Sequence, residues 1–204
     1  MSLNGYIARQ FSNPTGFGGR AVSFIMNRQN RPMYEETIRM LSPSDSDRIL
    51  DMGCGNGYML NVLARRYECA SAGIDISASA IRAASRRNRR FMKDGKMSLS
   101  CQNMNSVSFA DGSFSKAYTV NTVYFWEDLE NTMVEIGRIL EPKGIFVNTL
   151  YSNEALARFS HTQFGYRKYT KEQLTDAGVN AGFEVDAVPF LNGDAYCFVY
   201  KKTD

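Results

Sequence analysis

Two acids and three alternating glycines carry the chemistry in this chain. The segment Asp51-Met52-Gly53-Cys54-Gly55-Asn56-Gly57 follows the apolar pair Ile49-Leu50, which reads as part of a short buried strand. It precedes Tyr58, Leu60, Val62 and Leu63, at helical spacing. A strand that turns on glycines into a helix sets backbone N–H groups and a helix N-terminus beside a crevice. Glycine is needed there because a side chain would block the turn and hold a ligand off the backbone. The spacing is Gly-x-Gly-x-Gly, not the Gly-x-Gly-x-x-Gly of dinucleotide binders. Asp51, two residues before the first glycine, would repel a pyrophosphate and suits a ligand with a cationic group. Asp75 ends a second apolar run, Ala70–Asp75. A carboxylate at that place accepts hydrogen bonds from both ribose hydroxyls and so selects an adenosine group. Ser77 follows, so Asp75 also suits the N-cap region of the next helix.

Acid, glycine turn and second acid together resemble the first motifs of class I S-adenosylmethionine-dependent methyltransferases, and the likeness extends over about residues 47–200. The resemblance implies a Rossmann-like α/β three-layer sandwich of about seven strands, mostly parallel with the last antiparallel. It implies S-adenosylmethionine as cofactor and no metal. The implied cofactor-binding positions are Asp51, Gly53, Cys54, Gly55, Gly57, Asp75, Ile76, Asn103, Met104 and Asn121. Members often carry Asp-Ala-x-x-Leu-Pro-Phe after the third strand. Aligned on Phe109, Asn103 takes the place of that acid, and its amide oxygen can accept from the adenine amino group without charge. The tetrad Asn121-Thr122-Val123-Tyr124 falls where some amino-methylating enzymes have Asn-Pro-Pro-Tyr, but it lacks both prolines, so amine specificity does not transfer. The implied reaction is methyl transfer to a small-molecule acceptor. An aminopropyl transferase, or a protein that binds the cofactor or S-adenosylhomocysteine without turnover, is the alternative.

Candidate acceptor contacts are Phe17, Tyr124, Trp126 and His161. His161, the only histidine, titrates near neutrality and could take a proton from an acceptor hydroxyl. The blander reading makes it structural or exposed. Likewise Tyr124, Phe125 and Trp126 suit either a pocket wall or the core, with Phe125 the best suited to the core.

Composition sets the limits. The 204 residues suit one domain, 44% hydrophobic and 22% charged as in an ordinary soluble protein. A net charge of +3 is too mild to argue for nucleic acid. The arginines at 82, 86, 87, 89 and 90 read as a solvated helix face, because no aromatics interleave with them. No apolar run reaches the ~18 residues of a membrane span, and the N-terminus has no signal-peptide core. Four scattered cysteines without a Cys-x-x-Cys pair point to a reducing cytoplasm.

These residues need elements to hold them. Residues 1–46 stand outside the strand–helix rhythm and read as a helical cap or lid, with glycines around Phe17 and a stop at Ser42-Pro43. Residues 47–204 read as the cofactor-binding domain. Its elements are a helix over 57–66, the strand 70–75, a helix over 77–92 and the strand 97–101. Next come a strand over 117–126, a helix over 127–140 closed by Glu141-Pro142-Lys143-Gly144, and the strand 145–150. An irregular span follows over 151–169, then a helix over 171–181 and two strands, 184–189 and 195–201.

Overall fold

The computed structural model of the chain describes residues 27–163 and 165–203, the His161 side chain excepted. Strand β1 (Arg48–Met52) is buried over its last four residues. That burial on both faces is what an inner strand of a parallel sheet requires. It pairs in parallel with β2 (Ala70–Asp75) on one side and β4 (Phe114–Val120) on the other. β3 (Met97–Cys101) extends the sheet beyond β2. β5 (Leu140–Tyr151) extends it beyond β4. β7 (Ala195–Lys202) runs antiparallel to both β5 and β6 (Phe183–Phe190). The order is β3-β2-β1-β4-β5-β7-β6, and the expected seven-stranded, mostly parallel sandwich is the fold found. The strand order reverses direction at β1, and ligands bind beyond the carboxyl ends of strands at such a point.

Helices cover both faces. On one, α1 (Arg31–Leu41) and α2 (Tyr58–Arg66) bury Ile38, Leu41, Met59 and Leu63 against Ile49, Tyr118, Val147 and Val199. Farther along it, α3 (Ala78–Arg87) places Ala84 beside Leu60 and Met97. The opposite face takes α5 (Leu129–Ile139) and α7 (Lys171–Asn180), whose Met133, Ile136, Leu174 and Ala177 meet Leu50, Met52, Phe146 and Tyr200. Each such fully buried aliphatic side chain contributes about 1.5–3 kcal/mol over its exposed state.

Several boundaries differ from the sequence reading. The helix expected over 77–92 breaks at Asn88 into α3 and a short α4 (Arg89–Lys93), because the Asn88 side chain is committed to a neighbouring turn. β4 stops at Val120 rather than reaching Trp126, since Asn121 adopts a left-handed backbone with φ 56° and residues Val123–Phe125 coil into a 3-10 turn. Glu141 to Gly144 do not terminate the element before β5. They lie inside it, where the pairing with β4 shifts register and Lys143 takes φ 63°. The span expected to be irregular contains α6 (Asn153–Ala157) and a 3-10 turn over Ser160–Gln163. The helix over Lys171–Asn180 is held by a Thr170–Gln173 capping box.

Within the first 46 residues, α1 is part of the core rather than a detachable cover. Met33 and Leu41 are fully buried, and the Thr37 hydroxyl meets that of Thr149 on β5 at 2.7 Å. The expected boundary near residue 47 is therefore no break in the packing. Phe17 and the glycines around it lie outside the described residues.

Candidate functional site

The end of β1 opens onto a cavity of about 410 Å³, within the usual size of a ligand pocket. Three elements shape it. Gly53 and Cys54 both donate their N–H groups to the Ile74 carbonyl at the end of β2, at 2.8 and 2.9 Å. The turn is thereby fastened to the neighbouring strand. From that strand end, Asp75 reaches back: one carboxylate oxygen accepts from Gly55 N–H at 2.9 Å, and the other accepts from Ser77 N–H at 2.8 Å. Ser77 itself caps α3 by accepting from Ala80 N–H. Asp75 thus ties the glycine turn to the start of α3, which unites the two sequence readings of it.

The three glycines serve different needs. A Cβ on Gly53 would lie 2.6 Å from the Thr122 methyl, so glycine lets the loop after β4 approach the turn. A Cβ on Gly57 would lie 2.5 Å from the Asn88 amide and 3.0 Å from the Ala84 backbone, so glycine there lets α3 sit against the start of α2. Gly57, expected among the cofactor-binding positions, does not line the cavity. Gly55 does line it, and a Cβ there meets none of the described residues within 4 Å.

Asp51 is 4% exposed and sits level with Tyr118 on β4, whose hydroxyl donates to its carboxylate at 2.8 Å. Burial pushes the Asp51 carboxyl up to about 8; the Tyr118 bond opposes the rise and the charge of Asp75 adds to it. Burial raises Asp75 as well, against the pull of the Ser77 and Gly55 N–H donors. Both acids line the cavity, and none of its described lining residues is a lysine or arginine. Such a site holds a cationic ligand far better than an anionic one.

Of the other expected contacts, Cys54, Ile76, Asn103, Met104 and Asn121 all line the cavity. Ile76 is 73% exposed there, an apolar side chain that the described residues leave largely bare. Asn103 accepts from Asn105 N–H at 3.0 Å, so its oxygen already closes a local turn. Within the aromatic trio, Phe125 departs from expectation, and the open alternatives for Tyr124 and Trp126 resolve differently. Phe125, best suited to the core on sequence, lines the cavity and is 36% exposed. Tyr124 lies off the cavity, buried against Tyr166 with its ring 5.4 Å away. Its hydroxyl accepts from Tyr151 N–H at 2.6 Å, a bond that draws it into the core. Trp126 is both wall and core, stacked on Phe146 and donating from Nε1 to the Thr122 hydroxyl at 3.1 Å. His161 belongs to the 3-10 turn Ser160–Gln163, and its side chain is outside the description. None of the described residues of 151–169 lines the cavity.

Tyr118, Asn88, Asn30 and Tyr34 escaped the sequence reading. Asn88 is fully buried, donates to the Gly57 and Ala84 carbonyls at 3.0 and 3.1 Å, and accepts from Asn61 at 2.9 Å. Its signal was available: Ala80, Ala84 and Asn88 recur at four-residue spacing on the apolar stripe of that helix. Tyr118 becomes visible only once β1 and β4 are known to pair.

Residues 50–148 match the methyltransferase domain family. Over 170 residues the chain is 28% identical to the uncharacterized methyltransferase YdaC of Bacillus subtilis, covering 83% of this chain and 89% of that one. It is 28% identical over 133 residues to 24-methylenesterol C-methyltransferase 2 of Oryza sativa subsp. japonica, covering 65% of this chain. There it spans only 37% of the relative's length. A solved geranyl diphosphate methyltransferase in complex with SAM superposes with a TM-score of 0.74 at 16% identity, over 96% of this chain and 94% of the other, which is a likeness of fold.

Proposed function

Because the chain carries a methyltransferase domain of the class I S-adenosylmethionine-dependent family, we propose that it transfers a methyl group from S-adenosylmethionine to a small-molecule acceptor. One observation carries the reading: Asp51 and Asp75, from adjacent strand ends, share a cavity with the open backbone of Gly55 and no described lining cation. The residues fit the cofactor. Asp75 would hold the ribose hydroxyls, Ile76 would pack on the adenine, and Asp51 would face the cationic amino-acid portion. The oxygen of Asn103 would exchange its Asn105 bond for the adenine amino group. The cofactor supplies an electrophilic methyl on a sulfonium. The chain's own part is to bind, orient and exclude water, which accounts for a site reading without nucleophile or triad.

Acceptor contacts fall to the side of the cavity formed by Asn27, Asn30, Asn121, Phe125 and Trp126. The segment before β1 acts as a cap there, its described part contributing Asn27, Asn30 and Tyr34 to the wall. Calorimetry tests the binding half of this proposal. S-adenosylmethionine and S-adenosylhomocysteine should bind, while NAD and ATP bind far more weakly. Asp75→Ala should cost about 1–3 kcal/mol, the worth of hydrogen bonds to a charged acceptor. Tight NAD binding without response to either methionine-derived ligand would refute the assignment. Radiolabelled S-adenosylmethionine offered with a panel of small-molecule acceptors then tests turnover. Binding without transfer to any of them would favour a non-catalytic cofactor-binding protein.

A further inference from the structure

Two asparagines at the cavity wall each depart from what their positions ordinarily do, and they meet each other. Asn30 is the N-cap of α1, where an asparagine normally accepts a backbone N–H of the first helical turn. Asn30 makes no such bond. Its side-chain oxygen accepts instead from the Asn121 amide at 3.1 Å, across the cavity end from another part of the chain. Asn121, directly after β4, holds φ 56°, a left-handed conformation that most residues avoid and that asparagine tolerates best after glycine. Its own amide oxygen accepts from the Tyr124 hydroxyl at 3.1 Å. That hydroxyl in turn accepts from Tyr151 N–H on β5. The Asn121 side chain is therefore held by the sheet through its oxygen and holds α1 through its nitrogen. One turn further along, the Tyr34 hydroxyl donates to the Asn27 side-chain oxygen at 3.4 Å. Asn27, Asn30, Tyr34 and Asn121 all line the cavity.

We propose that Asn121 is a positioning residue whose bond to Asn30 latches the start of α1 against the end of β4, so that residue 121 sets the N-terminal wall of the ligand cavity. An N-cap position without a capping bond and a left-handed non-glycine backbone are the two partners of a single bond. Glycine would satisfy the backbone at 121 equally well, so the asparagine side chain is there for the bonds it makes. Asn27, Asn30 and Tyr34 line the same cavity as Asp51 and Asp75, so a slack latch loosens the wall of the cavity that holds both acids.

This inference rests on the proposed cofactor site but is tested apart from it. Asn121→Gly relieves the backbone while deleting the latch. Its melting temperature should stay close to wild type, the freer backbone at φ 56° offsetting the lost side-chain bonds. In the ligand-free protein, amides of residues 27–34 should exchange at least about threefold faster, with those of β1, β2 and β4 unchanged. Affinity for S-adenosylhomocysteine should fall about three- to tenfold. Asn30→Ala should do the same, and the double variant should lose no more than either single variant, since both break one bond. Wild-type exchange over 27–34 in Asn121→Gly would overturn the latch, as would losses in affinity that add in the double variant. A wild-type protein that fails to bind S-adenosylhomocysteine sinks the cofactor reading instead, and the exchange measurement still decides the latch.

Discussion

Asp51 faces Tyr118 from β4, Asp75 from β2, Cys54 from the glycine turn and Tyr34 from α1, none of them a cation. Its carboxyl rises from an ordinary 3.8 to about 8. Between those values the folded chain keeps a proton that the unfolded chain has released. Asp51 therefore favours folding most at the acid end of that window, and the contribution falls as pH rises through about 8. A cationic ligand works in the opposite sense, because it binds the carboxylate and expels the proton. Affinity for S-adenosylmethionine should rise from pH 6 to 8, by up to roughly tenfold per pH unit. Binding enthalpy should depend on the buffer, as proton release requires. Asp51→Asn should flatten the profile, and Tyr118→Phe should move its midpoint upward by removing the donor that favours the charged form. A flat wild-type profile in titration calorimetry would mean Asp51 is already ionised in the free protein. Asp51 and Asp75 were legible in sequence because each sits at the end of an apolar run beside the glycines. Tyr118 and Tyr34 were not, since each acquires meaning from a strand or helix far away in the chain.

At the scale of elements, the glycine turn divides into a packing part and a ligand part. Gly57→Ala puts a methyl against the backbone of α3 at φ 68° and should cost about 2–4 kcal/mol, from overpacking plus left-handed strain. Gly55→Ala carries the strain of φ 52° without a clash, so about 1–2 kcal/mol is expected. It should nevertheless abolish detectable ligand binding, because its methyl stands at the cavity surface. Chemical denaturation and calorimetry on the same two proteins separate these effects; equal stability losses would show that the division is mistaken. Sequence periodicity located every strand of the sheet, since buried runs and alternation are local signals. It misjudged where elements end. Asn88 interrupts a helix through a bond to a turn about thirty residues earlier in the chain, and β5 runs through its Pro-Lys-Gly sequence because β4 alongside absorbs the register shift.

The whole molecule is three layers, and one of them begins before the glycine-turn domain does. Met33, Thr37, Ile38 and Leu41 of α1 are buried against the sheet. A chain started at residue 42 would expose that surface, each large side chain lost being worth about 2–5 kcal/mol. Such a truncation should melt at least about 10 °C lower or fail to fold, as followed by circular dichroism. An unchanged melting temperature would return α1 to the role of a loose cover. Sequence alone set this segment apart because it lacks the alternation of strand and helix found downstream. What binds it is tertiary: the hydroxyl contact of Thr37 with Thr149 spans more than half the chain.

The bare Ile76 side chain has a colloidal consequence. With Met104 and Phe125 it gives the cavity rim an oily character that a bound nucleoside would cover. Concentrated protein should therefore self-associate more readily without ligand, and saturating S-adenosylhomocysteine should act as a solubiliser. Light scattering against concentration reads this directly, and Ile76→Lys should remove the difference between the two conditions. A ligand meant for catalysis would double as the agent that keeps stored protein dispersed.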